Sequence, residues 1–532
     1  MKTVLLLLVL LFCSAGLFAL TMQSTALGGN WTAPSTWVGG VVPGSGDNAV
    51  INGLVYVNGT VYCWDLTIAS TGSLMNDGPI RYLHVSGAYI NFGSCENNPA
   101  TGYLVLNPHG SFADYGVQSN TYINFDNSGM TTTIYQDPDA SPIASPNVIA
   151  TSSSGQFTLL SDLRFQGSVI DFTSRTLNTG EHSISLNGGR LYRIVLNTEG
   201  YSSLILSGSA YLTSVNAEDI ILQGTALITT DVSFHHLVNY ADLTTQTTGP
   251  YNLTINGNLT NYALIHNSSG TISLRLYGNL ANYHTITCNY IYFDAATAQH
   301  VFEDAAANPF TCNLFGKAAS TTGGSVVLDS DLYFHNTSID LYGHTLQMSQ
   351  GASNFGLTLD GGMIYRTTAD TEDFCTVSLS NGAYLYNFTG EDIILQGTAL
   401  IYQGVSFHNL FNYADLTTQT TGTYNLTVNG NLVNHGSIHN ASGNVYLQLW
   451  GDLYVYGTIS CYYVYFNGGG NQHVFQYSAA PPLTCHQFGK PSSVTTGSLY
   501  MLSDLRFQNV IVDMNYRQIM MFYEDYNYAL IS

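Results

Sequence analysis

The sequence predicts an all-β protein built as a right-handed parallel β-helix, a solenoid whose coil period is about 21–22. Three observations predict it. Only 9% of the 532 residues are charged while 52 are Gly and 38 Tyr, so solubility rests on Ser, Thr, Asn and Gly. That composition is poor in the residues that favour long helices. A long segment recurs: EDIILQGTALI begins at Glu218 and again at Glu391, a step of 391 − 218 = 173, and NYADLTTQTTG at Asn239 and Asn412 keeps the same step. Inside that module a shorter period spaces Asn239, Asn261 and Asn282, with steps of 261 − 239 = 22 and 282 − 261 = 21. Short runs such as Tyr251–Ile255 and Ser273–Tyr277 lie between, alternating apolar with polar. Period-two alternation punctuated by Gly and Asn marks half-buried strands, and one such unit has an incomplete core until it stacks on a neighbour. An array of β-sandwich domains is the competing architecture.

The elements follow in order. Residues 1–19 read as a secretory signal peptide, with Lys2, an apolar run from Val4 to Phe12, then small residues up to Ala19. The run is shorter than the roughly 20 residues a membrane span needs, so no span is expected in the mature chain. Residues 20–217 form an N-terminal cap and a first, diverged module, marked by SDLRFQ at Ser161 against SDLYFH at Ser330 and SDLRFQ at Ser503. Residues 218–390 are the second module, and 391–532 an incomplete third. Asn at equal coil positions is expected to stack as an amide ladder, interrupted where Val455 replaces the equivalent of Asn282.

The stretch Gly29–Ile51, GNWTAPSTWVGGVVPGSGDNAVI, resembles the opening of many secreted bacterial β-helix surface proteins. Trp31, Trp37, Gly39-Gly40, Pro43 and Gly46-Asp47 carry the resemblance, and there is a weaker similarity to the extracellular domain named for its eight glycines. The resemblance implies an extracellular β-helix, usually without an assigned activity. Two Trp beside a Gly-Pro turn suit a lid over the exposed end of a solenoid. The alternative is that Trp31 and Trp37 stack on sugar rings.

A formal charge of −22 with 12 Lys and Arg argues against nucleic acid and anionic membranes as partners, since both are held by clustered cations. No cofactor is expected, although calcium fits weak carboxylate candidates at Asp329, Asp331, Asp137 and Asp139. Leu502 stands where the third module would repeat Asp329. Glu218-Asp219 and Glu391-Asp392 are adjacent on a strand and are expected to point to opposite faces. The cations Arg193/Arg366, Lys317/Lys490 and Arg164/Arg506 recur at equivalent positions, which fits architecture better than one unique active site. His235-His236 invites a metal reading, but turn or strand-face histidines are the default. Cys288/Cys312 and Cys461/Cys485, each 24 apart, suit either disulfides between adjacent coils or inward-facing free thiols. Tyr290/Tyr292 and Tyr463/Tyr465 place two rings on one strand face, as ligand-stacking candidates or as packing between coils. The sum is a non-catalytic extracellular or cell-surface repeat protein, structural or adhesive, with glycans or other surface proteins as partners. A polysaccharide-active lyase or hydrolase is the alternative.

Overall fold

A computed structural model describes residues 19–127, 129–150, 155–523 and 526–532. The expected signal peptide therefore lies, but for Ala19, outside the described residues. Among those residues no helix is long and apolar enough to cross a membrane. The chain is all-β, and its strands pair in parallel from coil to coil. Among the described residues the antiparallel strand pairs are two small hairpins, Ser349–Gln350 with Ser353–Asn354 and Phe522–Tyr523 with Tyr526–Asn527. A sandwich array, which is built on antiparallel sheets, does not describe this molecule.

The alternation seen in the sequence is the reason for the stack. In Thr271–Leu276, Ile272, Leu274 and Leu276 are fully buried while Ser273 and Arg275 face outward. Each such apolar side chain contributes about 1.5–3 kcal/mol on burial. In Thr285–Phe293 the alternation slips at Asn289-Tyr290, where two consecutive residues face outward, and Thr458–Phe466 repeats the slip at Tyr462-Tyr463. The strand turns a corner there without leaving the ladder. Coil length is less regular than the sequence period. Pro250 pairs with Thr271, a step of 271 − 250 = 21, but Ser273 pairs with Tyr290, a step of 290 − 273 = 17. Cys288 pairs with Cys312, a step of 312 − 288 = 24, and Ser338 with Met363, a step of 363 − 338 = 25. The ladder fixes only the paired stretches, so corner loops lengthen or shorten freely.

The shared segments have the same conformation. Gly224 and Gly397, each in an EDIILQGTALI copy, adopt φ of +87° and +84°. A Cβ there would lie 2.0 and 2.1 Å from the carbonyl oxygens of Leu206 and Leu379 in the preceding coil. Only glycine fits that approach. The Asn ladder is present: Asn261 Nδ2 donates to Asn282 Oδ1 at 2.9 Å, and Asn412 Nδ2 to Asn434 Oδ1 at 2.8 Å. It ends at Val455, which is buried and pairs with Asn434.

Two compact units divide the chain, one ending at Thr247 and one beginning at Thr248. That boundary falls inside the second sequence module, because a repeat counts sequence period and not compactness. In the first unit Trp31 and Trp37 are 1% and 2% exposed, packed edge to face at 5.0 Å. Trp37 Nε1 donates to the Trp31 carbonyl at 2.6 Å. Their faces are enclosed, which removes them as sugar platforms and leaves them as a packed pair.

The four module cysteines are free, buried thiols. Cys288 faces Cys312, and Cys461 faces Cys485, in register on adjacent strands. A disulfide needs Cβ atoms about 3.5–4.5 Å apart, and in-register parallel neighbours hold parallel Cβ vectors at about 4.8 Å. The sulfurs turn instead to their own strands, Cys288 Sγ to the Tyr290 carbonyl at 3.4 Å and Cys461 Sγ to that of Tyr463 at 3.3 Å.

Candidate functional site

The most concentrated set of ligand-type side chains sits on a corner. In Tyr211–Ile228 the alternation slips at Glu218-Asp219, and in Val232–Thr245 it slips at His235-His236. The expectation that Glu218 and Asp219 point to opposite faces is thus overturned: both face outward, because the strand bends there. Glu218 Oε2 accepts the Thr198 N–H at 2.9 Å and belongs to the stack. Asp219 is in register with His236, and its Oδ1 lies 3.0 Å from His235 Nδ1. The two imidazoles stand edge to face with centroids 4.2 Å apart. Donor atoms of Asp219, His235 and His236 all lie within 4.8 Å of one another, and no other group of three such residues does so among the described residues. One module later the corner carries Asp392, His408 and Asn409. There Asp392 Oδ1 meets His408 Nδ1 at 3.0 Å and accepts from Asn409 Nδ2 at 2.8 Å.

The expected calcium carboxylates are engaged separately. Asp329 Oδ1 meets His300 Nδ1 at 2.9 Å, whereas Asp331 Oδ1 accepts the Gly356 N–H at 2.6 Å. Asp137 closes its own turn by accepting the Asp139 N–H at 2.9 Å. Calcium takes six to eight oxygens, and turn-capping carboxylates with separate partners do not assemble such a shell. The His300–Asp329 pair instead edges a shallow recess floored by Thr260, Ala281 and Phe302. In the third module the equivalents are Val433, Tyr454 and Phe475, stacked in register. The recess exists because Ala281 stands where the third module carries the much larger Tyr454.

The recurring cations are parts of the coils. Arg193 and Arg366 share a left-handed φ of +43°, and each guanidinium pairs with a carboxylate of the preceding coil, Asp171 and Asp340. Lys317 and Lys490 are fully buried. Lys317 Nζ donates to the carbonyls of Phe293 and Ala295, at 3.3 and 3.0 Å. Lys490 Nζ donates to the Gly468 carbonyl at 2.8 Å and to Gln472 Oε1 at 3.0 Å. Burial pulls both ammonium pKa values down. Arg164 and Arg506 each wrap a turn, donating to the carbonyls of Asp137 and Ala140, and of Tyr477 and Ala480.

No family model matches this chain, and neither a curated protein nor a solved structure matches it.

The tyrosine pairs stack on themselves. Tyr290 and Tyr292 lie 5.4 Å apart at 23°, and Tyr463 and Tyr465 4.8 Å apart at 17°. Elsewhere Tyr413, His435 and Tyr456 form an exposed stack with steps of 4.7 and 4.5 Å. At that spacing, which is the strand spacing, each ring covers the face of the next, so these ladders present ring edges more than faces.

A buried acid at a repeated turn was missed by sequence reasoning. Gln136, Glu303 and Gln476 occupy the same turn, and each backbone N–H donates to a Ser hydroxyl at 2.7 Å, on Ser161, Ser330 and Ser503. Each accepts one N–H on the other side, from Arg164, Tyr333 and Arg506. The two glutamines also donate Nε2 to a carbonyl further along the turn, Ser141 at 2.9 Å and Pro481 at 2.7 Å. Glu303 is 2% exposed, and its Oε1 is buried without a partner. Burial pushes its pKa up to about 8. The signal was available in the SDL alignment, where a Glu replaces two Gln.

Proposed function

We propose that the protein is a non-catalytic extracellular or cell-surface repeat scaffold, adhesive toward glycans or other surface proteins. One observation carries this reading: the recurring Arg and Lys side chains are bonded into their own coils. These six cations, of the kind a lyase presents as a base, therefore serve the stack. The leader-like residues 1–19 and the Trp31–Asp47 motif support an exterior location. The exposed stack of Tyr413, His435 and Tyr456 suits a surface that contacts a partner at several weak points. The test is incubation of the purified protein with a panel of pectins, glucans and chitin, followed by reducing-end and unsaturated-product assays. No turnover is expected, together with measurable adhesion of protein-coated beads to a glycan or cell surface. Sustained turnover would overturn the reading.

The recess beside His300 and Asp329 favours a second reading, a polysaccharide-active enzyme, because the third module repeats a His–Asp pair, His473 with Asp452, but carries Tyr454 where Ala281 opens the recess. Under it, turnover would exist and would disappear in His300→Ala.

A further inference from the structure

We propose that Asp219, His235 and His236 form a binding site for one divalent transition-metal ion of the zinc class. Two imidazole nitrogens and one carboxylate oxygen are a donor set that suits zinc, nickel, copper or cobalt, while calcium and magnesium prefer all-oxygen shells. The three donors come from two adjacent coils whose register is fixed by the ladder, Asp219 opposite His236. Little rearrangement is needed, since Asp219 Oδ1 and His235 Nδ1 are already 3.0 Å apart. The side chains of Asp219 and His235 are 28% and 55% exposed. Three protein donors on such a corner leave coordination positions open to water or to a partner's ligand. The overall charge of −22 favours cation capture.

The chain contains its own control. At the equivalent corner, Asn409 stands where His236 does, and its amide closes onto Asp392 at 2.8 Å. The second imidazole is therefore the difference between a donor set that can hold a metal and a closed hydrogen-bond network.

The experiment titrates the full chain with Co²⁺ and Zn²⁺, reading the cobalt absorption bands and the heat of binding, with thermal midpoints as the folding control. The wild type should bind one ion in a tight step reversed by a chelator. His236→Asn should lose that step with an unchanged midpoint, because Asn already occupies the equivalent place. Asn409→His should gain a second equivalent. A tight step that survives His236→Asn, or no tight step in the wild type, overturns the proposal.

Discussion

Replacing Glu303 by Gln should stabilise the protein increasingly as the pH rises. The folded state holds the Glu303 carboxyl with a pKa of about 8, against an ordinary 4.5. Between those values the folded chain binds a proton that the unfolded chain has released, so stability falls with rising pH. Each unit of difference is worth about 1.4 kcal/mol. The loss accumulates from about pH 4.5, reaches about 3 kcal/mol at pH 7, and levels off near about 5 kcal/mol above pH 8. Gln avoids it. Its amide would donate to the Asn308 carbonyl, as Gln476 donates to Pro481 at 2.7 Å, and it carries no charge to desolvate. The assay is urea denaturation of wild type and variant at pH 5, 7 and 9, with hydrogen exchange of the Tyr333 amide as a local probe. A constant offset across that range, or a variant less stable than wild type at pH 9, would refute the reasoning.

Other predictions follow from the same geometry. Asp114, whose buried carboxyl is pushed up from 3.8 to about 6, should behave like Glu303 on a smaller scale, with the advantage of Asp114→Asn growing between those two pH values and staying level above pH 6 in the same denaturation assay. Trp37→Ala should cost about 3–5 kcal/mol, read from the melting midpoint, because it leaves a cavity beside the buried Trp31 ring. Asn434→Val should cost about 1 kcal/mol, read from the melting midpoint, since the Asn412 amide loses its shortest bond and keeps only the Ala414 and Ser437 carbonyls. The thiols of Cys312 and Cys485, pushed up to about 12 by burial, should resist a thiol reagent in the native protein and react after unfolding.

The parallel ladder was legible because apolar residues at period two and turn residues at a recurring spacing both act locally along the chain. Corners were not. Glu218-Asp219 and His235-His236 look like ordinary alternating strand residues, and only the slip of burial at those pairs turns all four side chains outward. Steps as unequal as Ser273 to Tyr290 and Cys288 to Cys312 blur any single period, so the corner cannot be located by counting. The thiols and the Trp pair show the opposite case. Their spacing was right and their register was right, but side-chain direction within a parallel stack decided between bonded and free sulfur, and between lid and platform.

Repetition itself separates architecture from function in this chain. Residues that recur, such as Arg193/Arg366, Lys317/Lys490 and Gly224/Gly397, are bonded or packed into their own coils. The second module departs from the third at His236 against Asn409, Thr260 against Val433, Ala281 against Tyr454, Asp329 against Leu502 and Glu303 against Gln476. His236, Asp329 and Glu303 put a titratable group where the third module has Asn, Leu or Gln, and Ala281 opens space where it has Tyr454. A stack that tolerates both versions does not require either, so a stability argument cannot account for the departures. Exchanging these five positions between the modules therefore separates the two roles: the fold should persist, and any binding specific to the second module should move with the side chains.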